Sequence, residues 1–477
     1  MREKLKVLVY TRPRINVFFK ELAANVPVFS EIHYFSDHSG TENIDLMARY
    51  YNVKSKFENG EFNTHHIWDK INFQDIGRRC RYLRTLIPQE RLIRIKCMSI
   101  ALLDMIEEYS PDYIFGMVMD SYILDLCDRL MRIRKSQYIG FLNNMLNGYS
   151  RITSRGELIF NNTPSEELVG EKINELRERY YIPNMQKDFM WNTKPFSMFF
   201  TKYLKEKIKI GYYYIKRFSD PDNFYYNTVA SDSCMSCRSL SQILFRRHQN
   251  NNYTRFIAEA KEKGKIIVYL PLQFYPECSI DYWGTSKDFS DFYSTVDELL
   301  KLNLSDIVIL TKEHPSAYGL RKDRFYKDIS KNNSFCLVPF DISSNDIINQ
   351  ADLILTWTGS VGVEAIIRDK PLITFGNAYY SVDGICSEVN GFDDLSSLND
   401  LVCATVKNYH RSEGQIKNFV KNLLSGLVEG YVFPLDYGTK KNPYNHIRMK
   451  KLGENVSSLL KRMHSDGCYP VRSGTYD

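Results

Sequence analysis

The chain has 477 residues, too many for one ordinary hydrophobic core and enough for two domains with an insert. Hydrophobic residues make up 43% and charged residues 25%, which excludes a disordered, fibrous or membrane-integral chain. The net charge of +6 suits an anionic substrate or an anionic membrane surface, and no nucleic-acid-binding motif accompanies it. From Met1 the sequence runs directly into an apolar strand-like stretch, with no signal-peptide apolar core or cleavage site. No segment approaches the roughly 18 apolar residues of a spanning helix. The expectation is a cytoplasmic protein, either free or peripheral on the inner face of the cytoplasmic membrane.

Strand patterns at 6–10, 31–35, 112–118 and 137–142 alternate with helical periodicity at 16–25, 91–109 and 121–132. Such alternation predicts a parallel sheet covered on both faces. From 163 to 263 the character changes to a helical insert and linker. It contains a charged helix over 166–180 and an aromatic-basic stretch over 196–218. In that stretch Met198, Phe199, Phe200, Tyr203, Leu204, Tyr212, Tyr213 and Tyr214 stand among lysines and Arg217. It reads either as a helix lying on a membrane surface or as one packed on its own protein with solvated lysines. A second series begins at 265, with strands at 266–270, 307–311, 335–338, 353–356 and 372–375 and helices at 289–300, 344–350 and 362–367. The predicted organisation is a Rossmann-like domain over 1–162, the insert over 163–263, a second Rossmann-like domain over 264–440, and a C-terminal helix and tail over 441–477. The tail helix, 445–463, is expected to pack back across the first domain. Two doubly wound domains place the active site in the cleft between them, at the carboxyl ends of the strands.

Aromatic residues reach 14%, with 33 Tyr and 28 Phe, which suits carbohydrate surfaces but also follows from a low-GC codon bias. Of the ten Cys, only Cys234 and Cys237 are closely spaced. No second pair stands at zinc spacing, so free thiols in a reducing cytosol are expected. A basic run, Arg78, Arg79, Arg81 and Arg84, continuing with Arg91, Arg94 and Lys96, reads as a site for anionic lipid or a lipid-linked acceptor, or as a solvated helix face.

Three strand-end clusters carry candidate chemistry. Residues 268–281 end a strand in polar and acidic residues, where Gln273 and Glu277 would face a reacting centre and Asp281 is a second acid. A carboxylate there could act as nucleophile or stabilise an oxocarbenium-like sugar; the alternative is that Pro271 and Pro276 merely break the strand. Lys312 and His314 end another strand before Pro315, a cation and an imidazole suited to phosphate or, alternatively, an ordinary surface turn. The third, 352–365, brings a buried strand to Thr358-Gly359-Ser360 and then a helix, with Glu364 one turn in. Small residues and free backbone N–H groups there fit a nucleotide phosphate, and Glu364 could accept from ribose hydroxyls; Gly-Ser turns also open many helices with no ligand. In the first domain Asp120 follows a strand, as a general base or, the preferred reading, as a helix cap, and Arg12-Pro-Arg14 could meet an anion.

The order Gln-x-x-x-acid, Lys-x-His-Pro, Thr-Gly-Ser-x-Gly-x-Glu-Ala and Asp369-Lys-Pro-Leu-Ile-Thr-Phe-Gly376 resembles the bacterial capsule-polysaccharide biosynthesis family, which includes retaining Kdo transferases that use a CMP-activated donor. The resemblance is specific over 266–380 and looser over 111–157, where 148–156 is similar to the family's acceptor-side loop. It implies a GT-B fold, a donor nucleotide held by Lys312, His314, Thr358, Gly359, Ser360 and Glu364, and a donor-sugar pocket lined by Gln273. The family's catalytic Asp corresponds to Glu277, one methylene longer. The resemblance therefore implies a glycosyltransferase of capsule or lipopolysaccharide assembly, with a nucleotide-sugar donor (CMP-Kdo or a related CMP-nonulosonate favoured). The acceptor would be a glycan or lipid-linked molecule on the first domain. No metal or cofactor is implied, and no Asp-x-Asp pair stands at the cleft. The alternatives are a teichoic-acid-type polyol-phosphate transferase, which would want a second cleft histidine, and a non-catalytic scaffold.

Overall fold

Along the first strand Val7 and Val9 enter one apolar cluster while Leu8 and Tyr10 enter another. A strand apolar on both faces belongs inside a sheet covered twice. The same holds at 266–272, where Ile267 and Tyr269 enter one cluster and Val268 and Leu270 the other. The computed structural model describes residues 4–38, 40, 42–159, 163–178, 181, 183, 195–231, 238–284, 286, 288–376, 378–381 and 384–466. Six strands come first: β1 (Leu5–Thr11), β2 (Phe29–Ser36), β3 (Ile44–Asp45), β4 (Tyr113–Met117), β5 (Gln137–Asn143) and β6 (Tyr149–Thr153). Next come β7 (Ile266–Leu272), β8 (Ile307–Glu313), β9 (Phe335–Leu337), β10 (Leu353–Thr356), β11 (Leu372–Phe375) and β12 (Ser387–Val389), and β13 (Leu427–Glu429) is last.

The first sheet has the order β13-β6-β5-β4-β1-β2-β3, parallel from β3 to β5 and antiparallel at β6 and β13. The second, β12-β11-β10-β7-β8-β9, is wholly parallel. Strand order reverses between β1 and β4 in one sheet and between β7 and β10 in the other. Each reversal opens a crevice at the carboxyl ends of the strands. Two doubly wound sheets in one chain are the GT-B arrangement expected from the sequence.

Four strands were not expected. β3, β12 and β13 have two or three residues, too few to leave a period-2 signal. β6 occupies most of the predicted acceptor-side loop, because Tyr149–Thr153 pairs antiparallel with both β5 and β13. β13 lies inside the span 264–440 assigned to the second domain, yet hydrogen-bonds to the first sheet. The helix His446–Asp466 follows it and buries Met449, Leu452, Val456, Leu459 and Leu460 against the first domain. Gly453 is what lets this helix lie so close to Asn16–Ala24: a Cβ there would sit 1.9 Å from the Asn25 carbonyl oxygen. No helix among the described residues is long and apolar enough to cross a membrane.

Candidate active site

At the second sheet's switch point, β7 and β10 deliver their polar ends to the same place. Gln273, just past β7, donates from Nε2 to Ser279 Oγ (3.2 Å) and to Thr358 Oγ1 (3.4 Å). Ser279 Oγ donates to Glu277 Oε2 at 2.7 Å, and Thr358 Oγ1 donates to the Ser279 carbonyl at 3.2 Å. Gln273, Glu277 and Thr358 thus form one network with Ser279 at its centre. Gly359 lies against it, since a Cβ there would meet Gln273 Oε1 at 3.3 Å. Desolvation raises the Glu277 pKa, opposed by the Ser279 hydrogen bond and the Arg81 charge. Ser279 carries no signal in the sequence; only the turn after Glu277 brings it between the two strand ends.

Behind the network, the buried pair of Arg321 and Glu313 (2.7 Å) fixes the backbone, for Arg321 Nη2 also donates to the Gln273 carbonyl. Lys312, on the adjacent position of β8, points elsewhere: Nζ reaches Ser344 Oγ at 3.4 Å and, among the described residues, no carboxylate within ion-pair distance. Burial pulls its pKa down to about 8. His314 follows at the rim, exposed, with Nδ1 accepting from Ser316 N–H at 3.1 Å and the ring beside Phe274. In the neutral ring the proton is therefore carried on Nε2, which is left as the donor. Desolvation, then the Arg321 and Lys312 charges, hold its pKa below the ordinary histidine value. Glu364 lies in the field of Lys312 and Arg368 and is raised mainly by desolvation. The helix opened by Ser360, Val361–Ile367, has seven residues, so loop N–H groups and hydroxyls matter more than any dipole. Tyr380 ties the loop down, donating to the Gly359 carbonyl at 2.8 Å.

Asp281 faces away from this network. It is fully buried and ion-paired to Arg81 (2.8 Å) and Arg84 (3.0 Å) of the first domain. Arg79 adds hydrogen bonds to the Asp281 and Gly284 carbonyls, and Arg81 one to Pro276. Arg79, Arg81 and Arg84 therefore clamp the two domains, which corrects the readings of these three as a lipid site or a solvated face, whereas Arg78 pairs with Asp75 on its own helix. Arg94 is likewise buried on Asp222, and Lys96 lies 4.3 Å over the Trp68 ring.

In the first domain the switch point holds Arg12, paired to Asp120 at 2.8 and 3.0 Å. Asp120 does not cap the following helix; Ser121 does, accepting from Leu124 N–H. Next to Arg12 stand two residues with no distinguishing pattern in the sequence, Asp37 and His38, hydrogen-bonded at 3.0 Å and covered by Tyr225 and Tyr226. β6 contributes Arg151, whose guanidinium lies 4.1 Å over Tyr379 and 5.5 Å from Trp283. Both rings come from the second domain, so this arginine reaches across the cleft. Cys234 and Cys237 lie outside the described residues.

Residues 189–395 match the family described as capsule polysaccharide biosynthesis protein. The matching segment makes up less than half of the chain. It contains the complete switch-point network, Lys312, His314 and the Thr358–Glu364 loop. No curated protein matches the chain. Among solved structures, the β-Kdo 2,7 transferase KpsC of Thermosulfurimonas dismutans is 11% identical over 78% of this chain and 92% of its own (TM-score 0.30). Its β-Kdo 2,4 transferase is 12% identical over 65% and 79% (TM-score 0.30). The UDP-GlcNAc 2-epimerase of Methanocaldococcus jannaschii is 13% identical over 88% and 99% (TM-score 0.26). At these scores the likenesses say nothing of activity, and the fold rests on the strand order itself.

Proposed function

We propose that the protein is a glycosyltransferase of surface-polysaccharide assembly that takes its sugar from a nucleotide donor, CMP-Kdo or a related CMP-nonulosonate. The observation that carries this is the convergence of Gln273, Ser279, Glu277 and Thr358 at the β7/β10 switch point, with Lys312 buried in the field of Glu364 and without a carboxylate at ion-pair distance among the described residues. Lys312, the His314 Nε2–H and the hydroxyls and N–H groups of 358–360 neutralise the phosphate as the nucleotide departs. Glu277, anchored by Ser279, stands at the sugar as nucleophile or oxocarbenium stabiliser, and Glu364 accepts from the ribose. The acceptor enters from the first-domain side, past Arg12 and Asp120. The polyol-phosphate alternative needs a second cleft histidine, and His38 is enclosed by Asp37, Tyr225 and Tyr226.

A lipid-linked acceptor is favoured by the helix Pro195–Lys216. One face docks through Phe199, Glu206 and Tyr213, which meet Tyr318, Arg238 and Tyr225. The opposite face exposes Phe200, Leu204, Ile208, Tyr212 and Ile215, from 52% (Phe200) to 70% (Ile215), at helical spacing. Lys205, Lys207 and Lys216 flank that stripe, the pattern of a helix lying in an anionic bilayer surface.

Thermal shift against CMP, CDP, UMP, UDP, GDP and ADP tests the donor. Selective stabilisation by CMP, lost in His314→Ala, is expected. Selective UDP or GDP stabilisation would replace the donor, and no shift from any nucleotide would favour the scaffold.

A further inference from the structure

Eight arginines are buried among the described residues: Arg12, Arg79, Arg94, Arg151, Arg155, Arg238, Arg321 and Arg411. Six hold a carboxylate, and Arg411 holds three backbone carbonyls. Arg151 holds neither. It is 3% exposed, and its Nε and Nη1 are buried without a hydrogen-bond partner. Aromatic faces stabilise a guanidinium from above and below, but they leave its N–H edge unanswered, and an unanswered buried cation is costly.

The surroundings say what the edge is for. Tyr379 adjoins Tyr380, whose hydroxyl holds the Gly359 carbonyl of the nucleotide loop. Trp283 closes the helical turn Ser279–Trp283, which opens with Ser279 two residues past Glu277. Arg151 therefore reaches the cleft between the loop expected to hold the nucleotide and the segment expected to hold the sugar. A planar fork of N–H donors in that place matches a planar oxyanion with two acceptor oxygens.

We propose that Arg151 receives a carboxylate of the sugar substrate, so that the cleft selects ulosonic acids over neutral hexoses. This rests on the proposed CMP-linked donor. A 3-deoxy-ulosonate carries its carboxylate on the anomeric carbon, where neutral sugars carry hydrogen. The same fork could take an anionic group of the acceptor, and the experiment separates the two sources.

Titration calorimetry of wild type, Arg151→Gln and Arg151→Lys uses three donor-side probes: CMP, a CMP-linked nonulosonate and the carboxyl methyl ester of that compound. Glycerol 3-phosphate is the acceptor-side probe. CMP is expected to bind all three proteins alike. Wild type should prefer the acid to the ester by about tenfold or more, the scale of one charge-assisted pair. Arg151→Gln should lose that preference and Arg151→Lys should recover part of it. Equal binding of acid and ester by wild type that binds CMP overturns the proposal, as does a preference that survives in Arg151→Gln. If glycerol 3-phosphate alone loses affinity in Arg151→Gln, the anion belongs to the acceptor and the donor assignment falls. Failure of wild type to bind CMP at all is failure of the donor reading, and glycerol 3-phosphate then decides whether Arg151 binds an anion. Ligand-free Arg151→Gln should melt no lower than wild type, since an unpaired buried charge has been removed; a large drop with unchanged preference makes Arg151 structural and overturns the proposal.

Discussion

Lys312 ties the site to pH. Its pKa in the folded protein is about 8, whereas an unfolded chain keeps the proton to about 10.4. Between these values the unfolded state binds more protons, so the contribution of Lys312 improves as pH rises through the window. That contribution is complete above about 10.4 and lost as pH falls through 8. A phosphate beside Nζ reverses the preference and pulls the proton back. Nucleotide binding near pH 8.5 should therefore take up a proton, and its calorimetric heat should vary with the ionisation enthalpy of the buffer. Lys312→Met should abolish that variation, and buffer-independent heats in wild type would separate Lys312 from the phosphate. Glu277→Gln should keep nucleotide affinity within about twofold and lower turnover at least about a hundredfold, the scale of one acid-base or nucleophilic group. Unchanged turnover would favour the scaffold reading. Gln273, Glu277 and Thr358 were legible because each rides on the end of a strongly apolar strand. Ser279 and Arg151 were not, since their significance arises only from what folding places around them.

The arginine run shows what sequence spacing conceals at the scale of elements. Seven positions dense in arginine look like a surface patch. The carboxylate that Arg81 and Arg84 share stands far along the chain: Arg84 meets Asp281 at a separation of 197. Removing both Arg81 and Arg84 leaves Asp281 buried and uncompensated, and urea denaturation should show a loss of about 3–5 kcal/mol. Adding Asp281→Asn should restore much of it, because the stranded charge is then gone; additive losses would contradict the clamp. The helix Pro195–Lys216 was read as either membrane-lying or packed on its own protein but not as two-faced, since both stripes carry apolar residues and only contact distinguishes them. Replacing Leu204 and Ile208 by Ser should leave the melting temperature within a few degrees, because both are exposed. It should also reduce sedimentation with phosphatidylglycerol vesicles at least about fivefold. Unchanged sedimentation, or conversion of a dimer to a monomer, would assign the stripe to another partner.

The two sheets were legible as wholes, because each of nine predicted strands carries its own apolar run. Their closure was not. β13 has three residues, and nothing local marks it as the edge of a sheet that began more than 400 residues earlier. The helix His446–Asp466 fits the first domain only where Gly453 clears the Asn25 carbonyl. Gly453→Leu should push that helix off Asn16–Ala24 and cost at least about 3 kcal/mol, the upper range for an overpacked site. The variant should still show the nucleotide shifts of wild type, because the switch-point network lies in the other sheet.

The return of the chain at β13 also sets an order of manufacture. The ribosome delivers β1 to β6, then the whole of the second sheet, and only afterwards the strand and helix that complete the first. More than 270 residues separate β6 from β13. At the usual pace of synthesis the outer edge of β6 stays open for roughly 15–55 seconds, and the apolar side of Asn16–Ala24 stays bare somewhat longer. During that interval the second domain can mature as a finished unit on a nascent chain whose first half is still incomplete. On the proposed donor reading, a newborn molecule would hold nucleotide before its acceptor side is complete, and chaperones would have one strand edge and one bare helix face to guard until the last turn of chain arrives.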